Sequence, residues 1–122
     1  VQALNHFRLV FESKNTILLA VNDYYKPFNA VKVFEYVKGA KIKGIGWGQI
    51  KISSKVITNQ SREFDFENEV MANGNFEFIV PYSTSDNGQI IVKPYVIQIG
   101  SRKITVKVLE EDVLQGKEIK VY

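Results

Sequence analysis

The stretch IKISSKVITNQSREFDFENEV, Ile50 to Val70, decides the fold. In its first half Ile50, Ile52, Ser54 and Val56 alternate with Lys51, Ser53 and Lys55. In its second half Phe64 and Phe66 alternate with Glu63, Asp65, Glu67 and Glu69. Successive side chains on a strand point to opposite faces, so each half has an apolar face and a polar one. A loop at Asn59-Gln60-Ser61 folds the halves together and sets Lys55 opposite Asp65, Lys51 opposite Glu69 and Val56 opposite Phe64. That register satisfies the charges outside and the core inside, and a slip by a single position satisfies neither. The stretch is an antiparallel hairpin, and its acidic stripe is a solvated face with cross-strand lysines.

Alternation continues outward in both directions. Upstream, Gly39 and the run Gly44-Ile45-Gly46-Trp47-Gly48 break it, which predicts a bulged or flexible connection. Before them Val31, Val33, Glu35 and Val37 share one face and Lys32, Phe34 and Tyr36 the other, the pattern of a buried strand. His6 to Glu12 is a strand with Phe7, Leu9 and Phe11 on one face, and Ile17 to Val21 is a short apolar run. Asn22-Asp23 and Pro27 mark an irregular connection carrying Tyr24, Tyr25 and Phe28. Downstream, Asn73-Gly74 predicts a turn, followed by a strand from Asn75 to Val80 that Pro81 stops. A polar loop from Ser83 to Gly88 leads to a strand-like stretch, Ile90 to Ile99, demoted in part to an edge or bulge by Pro94. Gly100-Ser101 is a turn, and Ile104, Val106 and Val108 mark another strand. Glu110 to Leu114 with Gly116 makes one helical turn, and Ile119 to Tyr122 a last strand. The expected fold is all-β, a sandwich or partly open barrel of about eight short antiparallel strands with one helical turn near the C-terminus. Residues 1–30 fit the rhythm least and are expected to be an adaptor packing on the sheet or on a neighbour. Residues 31–122 are then the sandwich, with 1–122 folding as one unit the alternative.

Composition agrees with a globular domain. The chain has 122 residues, 45% hydrophobic and 24% charged, enough for one core and unlike a disordered chain. It starts at Val1, which fits a processed start or a piece of a longer chain. Absent cysteine removes disulfides, a thiolate nucleophile and cysteine-based zinc sites. Net charge is +3, but the lysines are scattered, so no nucleic-acid partner is expected.

Little chemistry is visible. His6 is the single histidine and reads as a surface residue at a strand end, not a general base. The glycine run lacks the following helix that a phosphate loop needs. Trp47 is expected to fold back on the core; stacking on a glycan is the alternative. Glu63, Asp65, Glu67 and Glu69 lie about 6.6 Å apart in steps along a strand, too splayed for one calcium ion. Asn59-Gln60-Ser61 matches the acceptor pattern for N-linked glycans, on a tip where an accessible acceptor would sit. No catalytic and no metal-binding residue is expected. Phe7, Tyr24, Tyr25 and Phe28 are the candidate docking surface, because aromatics gather in the least regular segment.

Four phrases together resemble a known family. They are Phe7-Arg8-Leu9-Val10-Phe11-Glu12-Ser13, then Val31-Lys32-Val33-Phe34-Glu35-Tyr36-Val37-Lys38-Gly39-Ala40. Gly74-Asn75-Phe76-Glu77-Phe78 running into Val80-Pro81-Tyr82-Ser83-Thr84 follows, and Glu110-Glu111-Asp112-Val113-Leu114-Gln115-Gly116-Lys117 closes the set. In this order and spacing they resemble the C-terminal soluble region of archaeal oligosaccharyltransferases of the AglB type, over residues 6–122. The resemblance implies a parent enzyme that moves a dolichol-linked oligosaccharide to asparagine of Asn-X-Ser/Thr, with a divalent metal, Mg or Mn. Its catalytic carboxylates lie in its transmembrane part. The W-W-D-Y-G run that reads the acceptor, and a short helix with Asp and Lys, are absent here, so no catalytic or acceptor-reading residue carries over. The glycine run also departs from the proline- and glycine-containing turn of the family. What the resemblance implies is a noncatalytic peripheral β-domain without a cofactor of its own, on the extracytoplasmic side of the membrane within a multi-pass membrane protein. Its partner is the adjacent core domain of the same polypeptide. A carbohydrate-binding module and a prealbumin-like adhesion module are the alternatives.

Overall fold

Two strands of equal length run the height of the molecule, β5 (Ala40–Ile57) and β6 (Glu63–Val80). They pair residue for residue from Ile57↔Glu63 to Ala40↔Val80, through Val56↔Phe64, Lys55↔Asp65 and Lys51↔Glu69. The register read from the charges and the core face is the register observed. This is a computed structural model that describes residues 4–13, 16–21, 24–29, 32–84 and 89–121, with the backbone alone for 16–21 and 24–29.

Both expected interruptions lie inside this ladder. Gly44–Gly48 is not a connection and Asn73-Gly74 is not a turn, for Gly46 pairs with Gly74 and Trp47 with Asn73. The face alternation also continues, with exposed Gly48 the exception: Ala40, Ile42, Gly44, Gly46, Ile50, Ile52, Ser54 and Val56 are buried. The missing side chains are replaced by neighbours. A Cβ on Gly44 would lie 2.4 Å from Cζ of Phe76, and one on Gly46 would lie 2.8 Å from Cδ1 of Ile50. Glycine at these positions makes room for Phe76 and Ile50 rather than a bend in the chain.

β5 is the central strand. Its second edge is shared by three short strands: β10 (Glu118–Lys120), parallel along Lys41–Lys43; β8 (Tyr95–Ile99) along Ile50–Ser53; and β7 (Ile91–Val92) at Val56–Ile57. β9 (Arg102–Val106) extends the sheet from β8. Helix α1 (Glu110–Gln115) buries Val113 and ends at Gly116, where φ is 71°. Its acidic first turn suits the positive end of a helix. The architecture is all-β with one short helix, as expected, and the sheets form no closed barrel among the described residues. It has ten described strands, two of them long, because the glycines do not divide the hairpin; β10 departs from antiparallel pairing.

Two smaller ribbons complete the chain. β1 (Phe7–Glu12) pairs with β4 (Lys32–Tyr36), and β2 (Thr16–Val21) pairs with β3 (Tyr24–Asn29). The segment expected to be an irregular connection is therefore a strand, with Pro27 opposite Leu18. β4 is exposed at every residue and not buried, for the main sheet gives it no second partner among the described strands. A register shift between Leu9 and Phe11 breaks the expected common face of β1: Leu9 is buried, Phe7 and Phe11 are not.

The core joins Ile42, Ile52, Phe66, Phe78, Val80, Tyr95, Ile97 and Val108. Phe66 packs edge-on against both Tyr82 and Tyr95, with ring centroids 6.0 Å apart in each case. The Tyr95 hydroxyl donates to the Tyr82 carbonyl at 2.7 Å and the Tyr82 hydroxyl accepts from the Leu9 amide, so both hydroxyls of this cluster are satisfied.

Candidate functional site

The β1–β4 ribbon carries the largest run of exposed apolar side chains among the described residues. Phe7, Phe11, Val33, Phe34 and Tyr36 are all exposed, as is Leu4 just before the ribbon. Phe7 stands edge-on to Tyr36 at 5.5 Å, and His6 stacks on the same Tyr36 ring at 5.7 Å. His6 is half-buried and its Nδ1 lies 3.2 Å from the Val37 carbonyl, a structural position at the ribbon's start. Where the ribbon meets β6 an open groove of about 380 Å³ is lined by Phe7, Leu9, Phe34, Phe64 and Tyr82, with Arg62 at its rim.

Three polar clamps hold this ribbon on the sheet. The Leu9 amide donates to the Tyr82 hydroxyl at 2.9 Å. Arg8, nearly buried, bridges Glu35 of β4 at 3.0 Å and Glu110 of α1 at 2.5 Å. Burial works against the charge on Arg8, but the bonds and charges of Glu110 and Glu35 outweigh it and keep the guanidinium firmly protonated. At the other end Glu12 is fully buried, yet Thr58 Oγ1 donates to it at 2.5 Å and Arg62 Nη2 lies 3.1 Å away. Burial raises the affinity of Glu12 for a proton; the bonds from Thr58 and Arg62, with the charges of Arg62 and Lys32, reverse this and hold it below the usual carboxylate range. A buried charge needs such partners.

Asn59 is part of the same clamp. Its Oδ1 accepts from the Glu12 amide and its Nδ2 donates to the Glu12 carbonyl, both at 2.9 Å. The predicted tip position is correct, but the carboxamide is occupied at both ends. Trp47 is 67% exposed and does not fold back on the core. It shares the outward face of the hairpin with Ile45 and Met71, also exposed. The acidic stripe is paired diagonally: Lys55 reaches Glu63 at 3.8 Å, Lys51 reaches Glu67 at 3.6 Å, and Gln49 donates to Glu69 at 2.7 Å. Of the expected docking residues Phe7 is exposed on the ribbon, while the side chains of Tyr24, Tyr25 and Phe28 lie outside the described residues.

No group of three or more His, Asp or Glu side chains that would hold a metal occurs among the described residues. The arrangement is one of surfaces and clamps. Sequence reasoning missed Arg8, Glu12 and Arg62 because their partners lie 27 to 102 positions away, beyond any local pattern. Arg8 and Glu12 stand at the polar positions of an alternating strand, so no local signal marked them as buried.

Comparison with known proteins fits this architecture. The family model described as the archaeal glycosylation protein B long peripheral domain matches residues 39–119. Dolichyl-phosphooligosaccharide-protein glycotransferase 3 of Archaeoglobus fulgidus is 31% identical over 100 residues, which is 78% of this chain and 12% of that relative. Among solved structures, a crystal structure of the A. fulgidus oligosaccharyltransferase in complex with Zn and sulfate is similar at a TM-score of 0.83 and 19% identity. It is matched over 98% of this chain and 23% of its own. AglB from the same organism, in complex with an inhibitory peptide and a dolichol-phosphate, gives 0.84 and 19% over 98% and 21%. The fold likeness reaches beyond residues 39–119 and takes in the ribbon. The chain spans about an eighth to a quarter of the relatives it matches. It belongs to the family of archaeal glycosylation protein B long peripheral domains.

Proposed function

We propose that this chain is a noncatalytic peripheral domain of an archaeal oligosaccharyltransferase, and that it braces the core domain of the same polypeptide on the extracytoplasmic side of the membrane. The parent would move a dolichol-linked oligosaccharide to the asparagine of Asn-X-Ser/Thr. The observation that carries the bracing role is the β1–β4 ribbon, an exposed apolar surface fixed to α1 and to the hairpin tip by ion pairs of buried Arg8 and Glu12. Exposed apolar patches of this kind mark interfaces, and a surface already rigid loses little freedom when it docks. Residues 1–30 act as the adaptor, with Phe7 in the contact and Tyr24, Tyr25 and Phe28 extending it. No described helix is long and apolar enough to cross a membrane.

The test is a Phe7→Ser/Phe34→Ser variant, alone and in the full-length enzyme. The isolated domain should keep its Tm within about 2 °C, as exposed substitutions do. The full-length enzyme should lose thermal stability and activity together. Unchanged full-length behaviour, also with Tyr24→Ala/Tyr25→Ala, would refute the bracing role. Exposed Trp47 favours a second reading, glycan stacking. Titration with oligosaccharides at millimolar concentration should then quench its fluorescence, and a flat titration removes this reading.

A further inference from the structure

We propose that Asn59 is a fold-gated glycosylation acceptor: the seating of β1 on the hairpin tip and a glycan on Asn59 exclude each other. The proposal goes beyond the bracing role and does not depend on it.

The argument is stereochemical. Asn59 meets a single residue with both ends of its carboxamide, Oδ1 against the Glu12 amide and Nδ2 against the Glu12 carbonyl, at 2.9 Å each. The amide of Glu12 can only donate and its carbonyl only accept, so the orientation of the carboxamide is fixed. A planar carboxamide makes two parallel bonds only with the edge that carries Oδ1 and the N–H cis to it. Glycosylation joins C1 of the sugar to Nδ2, breaks the C1–O bond to the lipid phosphate, and releases one Nδ2 proton, which the departing phosphate can take. The product is a secondary amide, and secondary amides strongly prefer to set their carbon substituents trans. The sugar is then trans to Cβ and cis to Oδ1. It takes the position of the hydrogen that now points at Glu12. The edge that would carry a glycan is the edge that carries β1.

The tip has no freedom to offer a different edge. Thr58 and Arg62 close the loop through Thr58 N–H to the Arg62 carbonyl at 2.8 Å, and Ser61 N–H donates to the Thr58 carbonyl at 2.9 Å. Ser61 is left-handed, with φ of 60°, the third position of a tight three-residue hairpin loop. Thr58 Oγ1 accepts from the amides of Gln60 and Arg62 at 3.2 Å while donating to Glu12. Glu12 itself is fully buried and held by Arg62. The acceptor triplet is thus open in an unfolded or nascent chain and closed once β1 is seated.

Two measurements test this on the whole chain. The first exposes folded protein to a purified single-subunit oligosaccharyltransferase with lipid-linked oligosaccharide, beside the variant Glu12→Pro, which lacks the amide that Oδ1 accepts from. Mass spectrometry should find the folded chain unmodified and the variant carrying one glycan, which Asn59→Gln removes. Modification of the folded chain, or no modification of the variant, overturns the proposal. The second needs no variant and stands if Glu12→Pro fails to fold. In nitrogen-labelled protein the Asn59 side-chain protons should exchange with solvent at least about tenfold more slowly than those of exposed Asn75. Equal rates overturn it.

Discussion

Two segments of one hairpin carry opposite local signals yet form the same structure. Near the tip, Ile50–Ile57 against Glu63–Val70, every local cue agrees: alternation, cross-strand charge and loop length. Farther down, Gly44–Gln49 against Met71–Phe76, local cues call for two breaks. The ladder runs straight through both. The difference is what fills the inner face. Near the tip the strands bring their own side chains, Ile52 and Phe66. Among the glycines the face is filled by neighbours of the glycines, by cross-strand Phe76 over Gly44 and by Ile50 and Ile99 beside Gly46. A glycine permits a turn but does not require one, and two glycine-bearing strings placed opposite each other satisfy the ladder as well as any pair.

If the tip half is anchored by its own side chains, truncating one should cost most. Phe66→Ala, at a buried ring between Tyr82 and Tyr95, should lower stability by about 3–5 kcal/mol. Met71→Ala in the glycine half, 76% exposed, should change it by less than about 0.5 kcal/mol. Urea midpoints decide the ranking, and similar losses at the two positions would erase the distinction.

The next effect concerns what ties the tip to β1. Arg62→Met leaves fully buried Glu12 without its cation, a loss of about 2–3 kcal/mol at neutral pH. The pH dependence gives the sign. In the native chain Glu12 titrates below its ordinary 4.5, so its contribution is present above that value and is lost as pH falls through the lowered folded value. Without Arg62 only Thr58 and Lys32 oppose burial, so the folded value of Glu12 rises from its lowered position. The variant should therefore lose less stability than the native chain as pH falls through the carboxylate range. Parallel denaturation curves for the two chains across that range would contradict the role given to Arg62.

This clamp marks the limit of what the sequence discloses. The hairpin register was legible because charge and core face repeat every second residue within a short span. The helical turn at Glu110 was legible through Gly116. The exposure of β4 was not, because Phe34 and Tyr36 look like core residues wherever no neighbour is known. Nor was the bond between Asn59 and Glu12, which joins residues 47 apart through a carboxamide and a backbone, groups with no pattern of their own. What local periodicity encodes is which face of a strand is apolar; what covers that face is decided by long-range packing.

A smaller effect separates the two uses of glycine. Gly44→Ala should cost about 1–3 kcal/mol, because its Cβ would press on the Phe76 ring, and Phe76→Leu in the same chain should recover part of the loss. Gly48→Ala meets open space but has φ of +87°, so its cost of about 1–2 kcal/mol comes from backbone strain, and no partner substitution should relieve it. Double-mutant cycles with Phe76 should give coupling for Gly44 and none for Gly48. Equal coupling would mean that the lower hairpin is strained throughout rather than filled.

The smallest expected effect lies on the outer face of the same glycines. Trp47 is the single tryptophan, and its exposure next to small residues leaves it few native contacts to lose. Trp47→Ala should shift stability by less than about 0.5 kcal/mol. A neutral aqueous quencher should reach the indole in the folded chain nearly as well as in urea. A protected indole would put Trp47 against the sheet, and the lower hairpin would then be filled from both faces, much as the tip is from one. An accessible indole with no loss on truncation leaves the opposite conclusion: the inner face alone holds this part of the ladder straight, through Phe76, Ile50 and Ile99, while its outer face is free for contact with something else.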